Sequence, residues 1–324
     1  MDKTSIPIRI KAVPAQMNWR VKSIKKHWQL YLIMIIPVAY IVLFHYFPMY
    51  GVTLAFKDYS VTKGILGSPW AGTKYFEMFF KSPSFWRLIQ NTLIISLYSL
   101  VAGFSFPIIL AIMINEIRAR AFKKTVQMVT YAPFFISTIV MVALLMQWLN
   151  PRFGLVNLII GALGFDHVDF MAKTDYFRHI YVWSGVWQFT GFNSIIYIAA
   201  LSAIDQEQYE AALIDGASRL QRIRHIDLPG ISSTIIILLI MSAGSIMNVG
   251  FEKVFAMQNN LNTPVSEVIS TYVYKIGLIN MNFSFSTAVG LFNSIINLIM
   301  LLTVNAISSR ISNTSLFQIR RNAA

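Results

Sequence analysis

The chain reads as an all-α polytopic membrane protein with six transmembrane helices, and three observations predict it. Its residues are 56% hydrophobic and only 13% charged, with a mean hydropathy of +0.57, a balance that excludes an ordinary soluble enzyme. Six stretches free of Asp, Glu, Lys and Arg reach the roughly 20 residues that a helix needs to cross the hydrocarbon core. Basic residues crowd alternate connections between those stretches, the asymmetry of a chain with a fixed orientation in the bilayer.

The predicted spans run from Gln29 to Phe47, Thr92 to Ile114, Val126 to Leu149, Val182 to Ile204, Ile231 to Phe251 and about Phe285 to Ile307. Pro37, Pro107 and Pro133 fall inside the first three and mark candidate kinks, which are tolerated where neighbouring groups satisfy the freed carbonyls. Lys3, Arg9, Lys11, Arg20, Lys22, Lys25 and Lys26 precede the first span, and Arg118, Arg120, Lys123 and Lys124 fill the second-to-third connection. Those segments are expected in the cytoplasm, together with Arg219, Arg222, Arg224, Arg310, Arg320 and Arg321, so both termini lie inside. The expected division is a basic N-terminal segment 1–28, a six-helix transmembrane domain 29–308 and a C-terminal tail 309–324. Within the domain, 49–87 and 253–284 are outer loops and 205–229 is a cytoplasmic loop. The net charge of +13 is therefore mostly a topology signal, and its spread over membrane flanks argues against a nucleic-acid partner.

The chain contains no cysteine, which removes disulfide and thiol chemistry. The first apolar run ends in His45-Tyr46-Phe47-Pro48, without the small residues of a signal-peptidase site, so it is expected to stay as an anchor. No internal repeat is evident, which speaks against a carrier built from inverted repeats. The first outer loop interleaves Tyr50, Phe56, Tyr59, Trp70, Tyr75, Phe76, Phe79, Phe80, Phe85 and Trp86 with lysines; an interfacial belt is the expected role for most, docking of an extracellular partner for the rest. Val265, Val268, Ile269, Tyr272 and Ile276 recur at near-helical spacing and predict a surface or re-entrant helix.

Enzymatic chemistry is not encoded in any recognisable form. There is no Gly-x-x-x-x-Gly-Lys-Ser/Thr loop to cradle ATP, no His-Glu-x-x-His and no histidine pair at ligand spacing, so neither catalytic nor metal-binding residues are expected. Asp and Glu are missing from the middle of every span, which argues against a proton relay. The spans do carry polar and aromatic residues suited to sugars: Trp187, Asn193 and Tyr197 in the fourth, Asn248, Phe251 and Glu252 in and just beyond the fifth. Aromatic faces stack on sugar C–H faces and amides pair with hydroxyls. The same Asn, Gln and Ser residues equally well join helices to one another, and both readings stay open.

The cytoplasmic loop holds the most informative pattern. Asp205 followed by Gln208 predicts a capping box and a helix from about Gln206, with Tyr209, Leu213, Ala217 and Leu220 as one apolar stripe. Ala211 and Ala212 allow close approach of another surface, Gly216 permits a left-handed backbone, and Pro229 is placed to start the next spanning helix. By itself such a segment also suits an interfacial helix lying on lipid headgroups.

Glu210-Ala211-Ala212, three residues, Gly216, nine residues, then Ile226-Asp227-Leu228-Pro229 resembles the loop that marks membrane subunits of binding-protein-dependent ABC importers. From first span to last the sequence looks like a permease of the maltose and glycerol-3-phosphate type, in the oligosaccharide-uptake branch. The resemblance implies a type I importer fold with a cytoplasmic coupling helix that holds Glu210, Ala211, Ala212, Asp215 and Gly216, closed by Leu228 and Pro229. It implies a bacterial plasma membrane location, a second homologous permease, an extracellular solute-binding protein, and two ATPase subunits that hold the ATP and Mg while this chain binds no cofactor. It implies substrate contacts at Trp187, Asn193, Asn248, Phe251 and Glu252. The stretch Asn248-Val249-Gly250-Phe251-Glu252 and the basic N-terminus further resemble permeases for pectin-type oligosaccharides. The alternatives are an ion-coupled carrier or pore working without ATPases, and a membrane scaffold whose loop recruits a soluble partner.

Overall fold

A computed structural model describes residues 26–311, so the basic segment before Lys26 and the tail after Ile311 lie outside the described residues. Two compact units divide the chain at Thr53/Leu54. The first holds nearly all of α1 (Trp28–Phe56), a 29-residue helix that is apolar on every face. A π-helical segment, Val42–Tyr46, precedes its Phe47-Pro48 step. A second one, Ile223–Asp227, precedes Leu228-Pro229. Proline lacks an N–H and its ring collides with the carbonyl four residues back, and a widened turn moves that carbonyl aside without breaking the helix.

The second unit is a bundle of helices, and no strand occurs among the described residues. After the short α2 (Lys74–Phe80) come α3 (Phe85–Asn115), α4 (Arg120–Phe135), α5 (Thr138–Trp148), α6 (Leu155–Ala162) and α7 (Thr174–Ser202). Next are α8 (Gln206–Ile214), α9 (Arg219–Gly230), α10 (Ser232–Ala243), α11 (Phe251–Met257), α12 (Ile269–Tyr274) and α13 (Phe283–Ile311). The α3–α7 pair forms the most extensive contact and is the spine of the unit. Pro107 sits inside the unbroken 31 residues of α3. Gly191 brings α7 against α4, because a Cβ there would lie 1.9 Å from the Thr130 carbonyl oxygen.

Two expected spans are not single helices. The third breaks between α4 and α5 with a bend of 97°. Pro133 opens the final 3-10 turn of α4, and Ser137 caps α5 by accepting a 3.4 Å bond from the Val140 amide. The break strands the Ile136 carbonyl, and Gln188 of α7 donates to it at 2.7 Å, the kind of repair that broken helices in membranes need. The fifth predicted span is helical only over the 12 residues of α10. That is about 18 Å at 1.5 Å per residue, short of the roughly 30 Å hydrocarbon core. Residues 244–250 continue as turns and extended backbone, where Asn297 of α13 accepts from the Met247 amide at 2.9 Å. The fourth span matches α7 up to Ser202, two residues short of its predicted end; α7 is 29 residues long but falls outside the three helices long and apolar enough to qualify by length and composition.

The expected interfacial belt is partly a core. Tyr75, Phe79, Leu88, Ile269, Phe285 and Val289 are buried together, with Phe85 and Phe292 packed edge-on against Phe79, whereas Trp70 and Trp86 remain exposed. The predicted helix through Val265–Ile276 is split by extended backbone at Glu267 and Val268 into a single turn and α12. Val268 and Ile269 are both buried, each in a different cluster, so this segment packs inside the unit. Glu267 fastens it: the nearly buried carboxylate accepts from Arg87 at 3.0 Å and from Lys275 at 3.2 Å.

Candidate transport cavity and coupling loop

At one end of the spine, the 205–229 loop is two helices joined at Gly216. Asp205 caps α8 by accepting from the Glu207 amide at 3.1 Å, while the reciprocal capping box falls further along, between Ser218 and Gln221. Gly216 has φ +74° and ends α8 in a Schellman motif. Its amide donates to the Leu213 carbonyl at 3.2 Å and the Ala217 amide to the Ala212 carbonyl at 2.9 Å. The single stripe expected through Ala217 and Leu220 is therefore interrupted. Pro229 lies in the last turn of α9, and the next helix starts only at Ser232, after a 58° bend.

The loop is braced at two points. Arg222 and Arg219 reach Glu116, which follows the C-terminus of α3, at 3.7 Å and 3.9 Å. The Tyr209 hydroxyl donates to the fully buried Asp227 carboxylate. Burial and then that carboxylate push the Tyr209 phenol above its usual range. Braced in this way, α8 and α9 leave Leu213, Ile214 and Leu220 exposed, Ile214 at 86%. Glu210, Ala211, Asp215 and Gly216 are exposed along the same element and Ala212 is half-buried, while Leu228 and Pro229 sit at the far end of α9, beside the bend.

Between α3, α7, α10 and α11 lies a cavity of about 420 Å³. Leu100, Phe104, Val186, Phe189 and Leu238 give it apolar walls, and Ser99, Thr190, Asn193, Tyr197 and Ser242 give it neutral polar groups. A second cavity of about 230 Å³ shares Ser99, Leu100, Tyr181 and Ser242 with the first and adds Ser245 and Asn248. Asn248 Oδ1 accepts from Asn293 at 3.0 Å and Asn297 at 3.1 Å, which fixes its amide at the wall. Apolar surface with a few convergent polar groups is the usual make-up of a small-molecule site.

Residues 103–313 match the family described as "Binding-protein-dependent transport system inner membrane component". The chain belongs to that family. It is 40% identical to Protein LplB of Bacillus subtilis (strain 168) over 301 residues, 93% of this chain and 94% of the relative. It is also 40% identical to the polygalacturonan/rhamnogalacturonan transport system permease protein YteP of the same organism, covering 89% and 90% of the two chains. Among solved structures, it is similar to a chain of a bacterial ABC transporter involved in the import of the acidic polysaccharide alginate. That likeness has a TM-score of 0.84 at 38% identity and covers 90% of this chain and 99% of the other.

In this permease the predicted contact residues divide. Asn193 and Tyr197 line the larger cavity and Asn248 the smaller. Trp187, half exposed, lines neither, nor do Phe251 and Glu252. Phe251 stacks on Phe255 at 5.3 Å and meets Tyr274 at 5.0 Å, and Glu252 is exposed. Trp187 is on a face of α7 that does not line the cavity; Phe251 and Glu252 follow the fifth predicted span, and because α10 stops at Ala243, the register beyond it changes and α11 turns a different face inward. Lys253, the first residue of the outer loop expected over 253–284, is what that face delivers to the cavity. The available signal was local: in Phe251–Met257, Lys253, Val254 and Met257 share one buried helical face.

Proposed function

We propose that this chain is one of two membrane-spanning permease subunits of an ATP-driven oligosaccharide importer, and that acidic pectin-type fragments are its cargo. Membership of the permease family, the kinship with YteP and the fold shared with the alginate importer support the substrate class. The carrying observation is a braced lever below a cavity. The α8–α9 element presents exposed Leu213, Ile214 and Leu220, and it is tied through Glu116 to α3 and through Asp227 to the bend before α10, two helices that line the cavity.

The 205–229 loop faces the cytoplasm, where one of two ATPase subunits grips Glu210, Ala211, Ala212, Asp215 and Gly216. The ATP and Mg belong to those subunits. Closure of the ATPase pair displaces α8 as a rigid body, and the braces pass that motion to α3 and α10, so that the cavity opens alternately to the two sides. A homologous second permease completes the pathway, and an extracellular binding protein loads it. Asn193, Tyr197 and Asn248 meet sugar hydroxyls, and residues 253–284 lie on the outer side with both termini inside.

The test is uptake of labelled trigalacturonate, a maltodextrin and a peptide in cells carrying the intact gene or its deletion. Loss of saccharide uptake on deletion, with an ATPase subunit co-purifying with the intact permease, is the expected result. Unchanged uptake of every compound, or purification of an active permease without any ATPase, overturns the reading.

A further inference from the structure

Three charged side chains of the second unit are buried, and they are not equally provided for. Glu267 has two cations, Arg87 and Lys275. Asp227 has the Tyr209 hydroxyl. Lys253, 7% exposed, has no acid: none of the ion pairs among the described residues includes it. Its ammonium donates to the Tyr181 carbonyl oxygen at 2.6 Å and stands 4.6 Å from the centroid of the Tyr181 ring. Both contacts stabilise a cation without neutralising it, and burial of an uncompensated charge is costly.

The place of this charge gives it a use. Lys253 lines the 420 Å³ cavity and is the one charged residue there among the described residues; every other polar group of the wall is a hydroxyl or an amide. Gly185 keeps the room around it, since a Cβ at that position would come within 3.1 Å of Lys253 Nζ. Its sequence neighbour Glu252 is exposed and lines neither cavity, so no local carboxylate quenches the site. A hydroxyl-rich sugar is served by the neutral groups alone. A sugar carrying a carboxylate supplies the counter-charge that the protein withholds, through a charge-assisted hydrogen bond.

We propose that Lys253 is the specificity-determining residue of the permease, pairing with the carboxylate of a uronate unit as an acidic oligosaccharide occupies the cavity. This rests on the saccharide-importer reading above and adds the residue that separates acidic cargo from neutral cargo. Tyr181 acts as its positioning residue, holding the ammonium at the wall through its carbonyl and ring.

The experiment compares Lys253→Gln and Lys253→Arg with wild type in the complete importer, measuring uptake of trigalacturonate, substrate-free ATPase activity and the amount of permease in the membrane. Lys253→Gln should lower trigalacturonate uptake about tenfold or more, chiefly by raising the apparent KM, while Lys253→Arg stays within about threefold of wild type. Substrate-free ATPase activity and membrane abundance should stay at wild-type levels in both. Uptake by Lys253→Gln within about twofold of wild type overturns the proposal, as does an equal loss in Lys253→Arg or a matching fall in substrate-free ATPase activity, which would mark a packing role. Failure of the importer reading itself looks different: gene deletion then leaves uptake of every saccharide unchanged, before any Lys253 variant is considered.

Discussion

Gly216 offers the sharpest test of how the loop works, because its substitution acts through backbone conformation alone. Its φ of +74° is in the left-handed region, and a Cβ added there would meet nothing within 4 Å. Alanine therefore introduces no clash with its surroundings and only a conformational penalty, roughly 1–2 kcal/mol for an L-residue in that region. If the Schellman turn is the conformation that presents α8, this lowers its population relative to competing ones by about 5- to 30-fold. Proline is more severe, since it fixes φ near −65° and deletes the N–H that bonds the Leu213 carbonyl at 3.2 Å. Asparagine, which tolerates left-handed backbone, should restore most of the function. The assay is initial-rate saccharide uptake alongside membrane abundance. The expected order is wild type, Gly216→Asn, Gly216→Ala, Gly216→Pro, with all four proteins equally abundant because the position is exposed. Wild-type uptake by both Gly216→Ala and Gly216→Pro would refute the argument that this turn transmits the ATPase stroke.

Glu210→Lys reverses the charge on the exposed face of α8 and should abolish uptake while leaving the chain in the membrane, which transport assays with quantitative immunoblotting check. Tyr209→Phe leaves the buried Asp227 carboxylate without its donor and should cost about 1.5–3 kcal/mol locally; slower uptake and a lower melting temperature in detergent are the expected readouts. Gln188→Leu leaves the Ile136 carbonyl unpaired at the α4–α5 break, so the same melting assay should show a loss of about 1–3 kcal/mol. Gly191→Ala places a methyl 1.9 Å from the Thr130 carbonyl oxygen, and the permease should accumulate poorly or melt early because backbone must move to admit it.

The cap at Asp205 was legible in the sequence because a short polar side chain before a helical run has few other uses, and the left-handed Gly216 because glycine alone adopts that backbone cheaply. The broken third and fifth spans were not. An apolar run of span length reads as one helix wherever tertiary partners are ignored, and both breaks are held by side chains remote in sequence: Gln188 for the Ile136 carbonyl and Asn297 for the Met247 amide. The position of Phe251 and Glu252 off the cavity wall follows from the break after α10. Along α7, cavity-facing and outward-facing residues alternate at helical spacing, and only the packing of α3 against α7 shows which of them Asn193 and Trp187 are.

What the sequence determined by itself was membrane character and, of the local backbone, the Asp205 cap and the left-handed Gly216. Composition makes the chain a membrane protein, and the motif from Glu210 to Pro229 resembles that of importer permeases, the family that residues 103–313 match. What only the tertiary structure decided was which polar groups pair with one another and which line the cavity. Asn248 is tied to Asn293 and Asn297, Glu267 to Arg87 and Lys275, and Lys253 is brought to the cavity with no acid beside it. The physical reason is range: helix caps and membrane partitioning are settled within a few residues or by summed hydropathy, whereas electrostatic pairing depends on distances between helices that are far apart in the chain.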